Sequence, residues 1–96
     1  MHITLHPQRR EDTLVVSKQG DILTINDILY DFSVIPEGAS LPASATDCPY
    51  LTGDIERTNG ILYLTLILPH GPSPSQAAAF PSPIINPAEG TLELPK

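Results

Sequence analysis

Three histidines are the first residues of this chain that could do chemistry, because imidazole is a common metal ligand. His2 and His6 alternate with apolar residues, which places both on one face of a predicted strand. Four strand residues span about 13 Å, and zinc ligands each lie about 2 Å from the ion, so this pair cannot hold one metal. His70 has no cysteine or carboxylate at ligand spacing. We therefore predict no metal site and no cofactor.

A cysteine nucleophile is the second possibility. Cys48 precedes a proline in a predicted loop, and no catalytic signature flanks it. A lone cysteine in a small domain is usually a packed thiol, so only a pocket that held Cys48 beside His70 would favour catalysis. The serines lack a nucleophile-elbow context, and no glycine-rich loop precedes a helix to hold a phosphate.

Paired carboxylates are the third possibility. Asp54 and Glu56 lie on one face of a predicted strand. General acid–base catalysis needs an apolar environment that raises the pKa of one carboxyl, and a strand edge that faces water does not provide it. We interpret both residues, together with Asp12 and Arg57, as surface charges. The reactive residues together predict a protein that is not an enzyme.

The charge balance limits the classes of partner. Eleven acidic and five basic residues among 96 give a formal net charge of −6. Nucleic acid and anionic membrane surfaces repel such a chain, and no stretch reaches the roughly 20 apolar residues of a membrane span. The basic pair near the N-terminus follows the apolar residues, which is the reverse of a signal peptide. We expect no nucleic-acid partner, no membrane insertion, and synthesis as a soluble intracellular protein.

The elements that position these residues are predicted to be strands. Eleven prolines and six glycines leave little room for helix, while a hydrophobic share of 41% excludes a disordered chain. Asn59-Gly60 between two apolar runs is the strongest hairpin signal, and Gly20 and Asn26-Asp27 predict two further turns. The expected fold is an all-β antiparallel sandwich or half-open barrel of five to six strands. The predicted strands cover residues 2–6, 13–18, 21–26, 28–32, 51–57 and 61–68, with one helical turn near 43–46.

The strand over residues 61–68 predicts how the C-terminal segment is used. Leucines fill one face of this strand, but Ile61, Tyr63 and Ile67 on the other face are apolar too, as in strands buried on both sides. We therefore expect a second covering layer. The proline-rich extended arm over residues 69–96 follows the β domain over 1–68 and is the nearest candidate, packed on its own domain or on a partner.

Several short features are expected within the arm. Ser75 predicts a capped short helix over 76–80, and residues 84–85 and 91–94 predict short edge strands. The two Pro-Ser-Pro segments, 72–74 and 81–83, favour extended polyproline-like backbone. The residues expected to bind a partner through the strand and the arm are Tyr63, Ile67, Pro69, His70, Pro72, Pro74, Phe80, Pro81, Ile84 and Ile85.

Three segments carry a resemblance to a known group of proteins. They are HPQRREDTLVVSKQGDILTIND, FSVIPEGASLP and GDIERTNGILYLTLILPHGPSPSQAAAFPSPI, and the likeness is clearest in LTLILPHGP and the proline–alanine stretch after it. The chain resembles small proteins encoded among the tail genes of tailed bacteriophages and prophages. This resemblance implies a virion or tail-assembly context and carries over no functional residues.

The function expected from these observations is non-enzymatic. The leading hypothesis is a structural or assembly protein of a tailed phage that binds tail-tip, baseplate or tail-fibre subunits, located in the virion tail after synthesis in the host cytoplasm. One alternative is a tail-fibre assembly chaperone that is absent from the mature particle. Another is a small acidic regulator that inhibits a host protein by occupying a basic site. A homo-oligomer is compatible with each hypothesis.

Overall fold

The computed structural model describes residues 1–71, 79–92 and 94, which fold into two β-sheets packed face to face. The described strands are β1 (His2–Arg9), β2 (Val16–Gln19), β3 (Ile22–Ile25), β4 (Ile28–Asp31), β5 (Ser40–Pro42), β6 (Leu51–Thr58), β7 (Ile61–His70), β8 (Ile84–Ile85) and β9 (Gly90–Thr91). A single 3-10 turn over Ala43–Thr46 precedes β6, where the sequence predicts a helical turn. The prediction of an all-β sandwich is confirmed.

The two sheets differ in size and in strand direction. One contains five strands in the order β5-β6-β7-β1-β8, and the other contains four in the order β4-β3-β2-β9. Neighbouring strands run antiparallel except β1 and β7, which pair in parallel along their length. The described strands outnumber the five to six expected, because β5, β8 and β9 have only two or three residues each. Such short pairings leave no periodic signal in a sequence.

The two tight turns predicted from asparagine are confirmed. Asn26 and Asp27 connect β3 to β4 with φ values of 48° and 70°, and Asn59 and Gly60 connect β6 to β7 with 53° and 76°. Positive φ at both central residues matches the twist of a two-residue hairpin. The Glu37 carboxylate stabilises the second turn by accepting hydrogen bonds from the Asn59 N–H at 2.8 Å and the Gly60 N–H at 2.5 Å.

The core lies between the two sheets and is formed by the inward face of each. The buried face of β7 consists of Leu62, Leu64, Leu66 and Leu68. Strand β1 adds Ile3 and Leu5, which lie beside Leu64 and Leu66 in the parallel register. The smaller sheet contributes Val16, Leu23 and Ile25. Burial of each such side chain contributes about 1.5–3 kcal/mol, so the alternating pattern of β1 and β7 fixes which of their faces turns outward.

The outward face of β7 is only partly covered among the residues that the structure describes. Tyr63 is 38% exposed, and Ile61, Thr65 and Ile67 are only half-buried. The second covering layer expected from the sequence, from the arm packed on the domain or on a partner, therefore stays a prediction. Strands β1 and β6 flank these residues of β7 within the sheet, which accounts for their half-buried state.

Arg57 was expected at the surface, but it holds the two sheets together. From β6, its Nε donates a hydrogen bond to the Ile35 carbonyl at 2.6 Å. Its Nη2 donates to the Phe32 carbonyl at 3.2 Å and to the Asp21 carboxylate at 3.0 Å. The guanidinium therefore fastens the connection after β4 to the larger sheet.

The end of the chain adds an edge strand to each sheet. Residues 84–92, called the C-terminal strap below, place β8 beside β1 and β9 beside β2. Leu92 is buried in the core, and Ile84 packs against it. The Glu89 carboxylate accepts hydrogen bonds from the Gly20 N–H at 3.0 and 2.9 Å. The strap thus links the two sheets and holds the turn between β2 and β3.

Some features expected of the arm lie outside the described residues. These are the helix over 76–80, most of which is not described, and the binding residues Pro72 and Pro74. The edge strand expected at 84–85 is confirmed, whereas the strand expected over 91–94 corresponds to β9 and reaches only Thr91. In the described ranges, no helix has the length and apolar character that a membrane crossing requires.

Candidate protein-binding face

The outward side of β1, β7 and β8 forms a continuous surface in the larger sheet. Because β1 and β7 pair in register, alternate residues of the two strands stand side by side on this surface. Ile85 of β8 lies beside His2 of β1 at the sheet edge. We call this surface the docking face, and it consists of His2, Thr4, His6, Tyr63, Thr65, Ile67 and Ile85.

Ring and apolar side chains concentrate at one end of the docking face. The His2 imidazole meets the Tyr63 ring in an edge-on arrangement, with centroids 5.2 Å apart and an interplanar angle of 78°. Ile85 continues this cluster at the sheet edge and is 65% exposed. Edge-to-face pairs are favoured by the ring quadrupoles, so the contact orients both rings. The three side chains therefore form a preorganised aromatic and aliphatic patch.

The centre of the docking face carries no formal charge when its histidines are neutral. The outward positions of β1 and β7 contain no Asp, Glu, Lys or Arg, although the whole chain has eleven acidic and five basic residues. Glu56 of β6 lies opposite Tyr63 and marks the margin. Charged side chains are depleted and aromatic ones enriched at the centres of protein interfaces. The composition of this face matches such a centre with a polar rim.

Three of the expected binding residues, Tyr63, Ile67 and Ile85, lie together on the docking face. Pro69 lies further along the same side of β7 and is half-buried. His70 ends this strand, and its carbonyl accepts a hydrogen bond at 3.0 Å from the backbone of the connection after β1. The strand portion of the expected site thus follows one side of β7, and Ile85 lies at its Tyr63 end.

The remaining expected residues lie elsewhere. Ile84 is paired with the buried Ile3 and packs against the core, so it lies outside the docking face, and its expected role in binding stays a prediction. Phe80 is 80% exposed and Pro81 half-buried, and neither belongs to a strand of the docking face. Only the strand residues and Ile85 therefore contribute to the surface that we describe.

Sequence reasoning missed four members of this surface, which are His2, Thr4, His6 and Thr65. It places His2 and His6 together on one strand face, but it considers them only as metal ligands. What connects them to Tyr63 and Ile67 is the parallel pairing of β1 with β7. A period-2 pattern shows that a strand has an outward face, but it does not identify the neighbouring strand.

Cys48 lies in an open groove between the 3-10 turn and β6. The groove has a volume of about 830 Å³, and its described lining includes Cys48 and Asp54 but neither His70 nor Glu56. The thiol itself is buried. Burial, followed by a hydrogen bond with Cys48, raises the pKa of the Tyr30 hydroxyl to about 12. Within this lining, Cys48 lacks the histidine that would activate a thiol nucleophile.

A polar cluster joins the connection after β1 to the start of β6, contrary to the expectation that Asp12 is a simple surface charge. The Tyr50 hydroxyl donates to Asp12 at 2.6 Å, and Arg10 binds the same carboxylate through Nε at 2.9 Å and Nη2 at 2.7 Å. The hydrogen bond from Tyr50, assisted by Arg10, lowers the pKa of Asp12, and the same bond together with burial raises the pKa of Tyr50. These groups are paired with one another, so we interpret the cluster as a structural interaction that stabilises the fold.

The three histidines do not converge with other ligand types. His2 and His6 lie on the docking face, and His70 lies at the end of β7. Within residues 1–71, 79–92 and 94, no three His, Cys, Asp or Glu side chains lie close enough together to hold a metal ion. Comparison with protein-family models, with curated proteins and with solved structures finds no significant match to this chain.

Proposed function

We propose that the protein is a non-enzymatic binding module that attaches to another protein through the docking face. The observation that carries this proposal is the uncharged patch of His2, Tyr63 and Ile85, continued by Ile67, on a chain with a formal charge of −6. Aromatic residues in the centre of an interface supply a large part of its binding energy. The sheet beneath keeps the patch preorganised, which lowers the entropic cost of association.

The partner we propose is a subunit of a phage tail. This part of the proposal rests on the resemblance of the chain to small proteins encoded among tail genes, and the subunit is a tail-tip, baseplate or tail-fibre protein. The protein would then be a structural or assembly component in the virion tail. An uncharged face suits an apolar patch on that subunit, and the acidic residues outside it disfavour association with other acidic proteins.

The test is the capture of tail subunits by variants of the full chain. The tagged protein is mixed with an extract of cells that produce the tail subunits, and captured proteins are identified by mass spectrometry. Tyr63→Glu and Ile67→Glu place a charge in the docking face, and each is expected to abolish capture of a tail-tip, baseplate or fibre subunit. Val34→Glu changes an exposed apolar residue outside this face and is expected to leave capture intact.

Thermal unfolding of each variant shows whether its fold is preserved. Undiminished capture of the same subunit by folded Tyr63→Glu and Ile67→Glu variants would contradict the proposal. A change in self-association alone would assign the face to a homo-oligomer instead. Mass spectrometry of purified particles then separates a tail component, which is present in them, from a tail-fibre assembly chaperone, which is captured from the extract but absent from particles.

A further inference from the structure

Strand β4 is the longest of the four outermost strands of the two sheets. Strand β5 has three residues and ends in Pro42, and β8 and β9 have two residues each. Strand β4 runs over Ile28–Asp31 without a proline, a lysine or a break in register. Edge strands pair readily with other strands unless such features block them. The β4 edge is therefore suited to accept a further strand.

The register of the β3–β4 hairpin identifies the backbone groups that face outward. The two residues that flank a two-residue turn form a hydrogen-bonded pair. Along an antiparallel ladder, hydrogen-bonded pairs alternate with pairs that are not hydrogen-bonded to each other. In agreement with this alternation, the Phe32 N–H donates to the Asp21 carbonyl at 3.0 Å. Leu29 and Asp31 occupy the non-bonded positions between these pairs. Each therefore directs its N–H and its carbonyl away from β3.

The side chains of this edge are apolar in the middle and acidic at both ends. Ile28 is 57% exposed and Leu29 is 68% exposed. Asp27 precedes them and Asp31 follows, and residues 26–33 contain no lysine or arginine. The Ser33 N–H donates to the Asp31 carboxylate at 2.9 Å, and hydrogen bonding by Ser33 lowers the pKa of Asp31. The carboxylate is therefore ionised at neutral pH.

We propose that the β4 edge binds an extended segment of another protein by antiparallel strand addition, with an apolar residue beside Leu29 and a lysine or arginine beside Asp31. The outward backbone groups supply hydrogen bonds, and the alternating side chains supply specificity. A second copy of this chain is disfavoured as the occupant, because its own β4 would bring two more aspartates to the junction. The edge belongs to the smaller sheet, so this inference is independent of the docking face.

Two synthetic heptapeptides test the chemistry of the added strand. In SKVVVKS, the central valines can face Ile28, Leu29 and Tyr30 while the lysines face Asp27 and Asp31. In the matched peptide SEVVVES, glutamates replace the lysines and are repelled by Asp27 and Asp31. Fluorescence anisotropy with the full chain is expected to show binding of the lysine peptide and at least about tenfold weaker binding of the glutamate peptide. Backbone amide shifts in NMR spectra are expected to concentrate at residues 28–31.

Variants of the full chain test the site. Leu29→Pro removes an outward N–H without removing a bond to β3, and it is expected to abolish peptide binding while the fold persists. Leu29→Ser keeps the N–H and removes the apolar contact, so it remains informative if the proline variant does not fold. Asp31→Asn is expected to weaken binding about threefold, whereas Glu11→Gln removes an equal charge from an exposed connection and leaves binding unchanged.

Several results would overturn the inference. Equal binding of both peptides, or no binding of the lysine peptide, would remove its chemical basis. Undiminished binding by folded Leu29→Pro and Leu29→Ser variants, or shifts concentrated on the docking face, would place the peptide elsewhere. Concentration-dependent self-association in sedimentation experiments that Leu29→Pro abolishes would assign the edge to a second copy. None of these outcomes bears on capture through Tyr63 and Ile67.

Discussion

Arg57 shows how one charged side chain can join two sheets of a small sandwich. Its guanidinium binds two backbone carbonyls and the carboxylate of Asp21, and its side chain is only 15% exposed. A buried charge is tolerated when such partners replace its hydration. The carbonyls of Phe32 and Ile35 belong to an irregular connection, in which the Phe32 carbonyl also accepts a hydrogen bond from the Ile35 N–H at 3.1 Å. We therefore expect the loss of this guanidinium to destabilise the packing of the two sheets against each other.

Substitution Arg57→Met tests that role. The methionine keeps much of the apolar stem but leaves the carbonyls of Phe32 and Ile35 without these donors. We expect the free energy of unfolding to fall by about 2–3 kcal/mol, measured by urea denaturation. Arg9→Met removes an exposed arginine and is expected to change the free energy of unfolding by less than about 0.5 kcal/mol. Similar losses in the two variants would show that Arg57 has no special role.

The C-terminal strap is held in part by one carboxylate, that of Glu89. The Gly20 N–H and then the Lys18 ammonium lower the pKa of Glu89. A carboxyl whose pKa is lower in the folded state stabilises that state above its unfolded pKa, and this contribution is lost as the pH falls through the folded pKa. The strap should therefore be weakened in acid, at pH values below the ordinary pKa of glutamate, before the core is affected.

Hydrogen exchange provides the measurement for the strap. The Leu92 N–H, which donates to the Val16 carbonyl at 2.8 Å, reports on the attachment of β9. We expect its protection to decrease as the pH falls below the ordinary pKa of glutamate, after correction for intrinsic exchange rates, while protection within β7 persists. Glu89→Gln is expected to lower the protection of the Leu92 N–H already at pH 7, and Glu11→Gln is the matched control. Protection of Leu92 that is independent of pH and of Glu89 would contradict this account.

The elements differ in how far their sequence could predict them. The hairpins at Asn26-Asp27 and Asn59-Gly60 follow from local chemistry, because these residues tolerate the positive φ that the turns require. The parallel pairing of β1 with β7 depends on a long-range crossover, which a local pattern does not encode. The sequence therefore predicts members of the docking face on β7 and at Ile85 of β8, but none on β1. Strands β8 and β9 are too short for periodicity, and only apolar or turn-like composition pointed to them.

At the scale of the whole molecule, the strap is part of both sheets. It supplies the edge strand beside β1 and the edge strand beside β2, and Leu92 lies in the core. It also supplies Ile85 to the docking face. Deletion of the C-terminal segment would therefore change stability and the docking face together, and point variants are the sharper test of binding.

A chain that ends at Gly71 tests this interdependence. It lacks the burial of Leu92 and Ile84, which we expect to cost about 3 kcal/mol or more, a large part of the 5–15 kcal/mol that stabilises a typical domain. Its urea transition, followed by circular dichroism, should be shallow and shifted to low denaturant. The full chain with Leu92→Ala should have a transition midpoint between those of this shortened chain and the wild type. Addition of a synthetic peptide of residues 79–96 should restore a cooperative transition in a concentration-dependent manner, because strand pairing and core contacts do not require a continuous chain. A wild-type midpoint for the shortened chain would mean that the two sheets are stable without the strap.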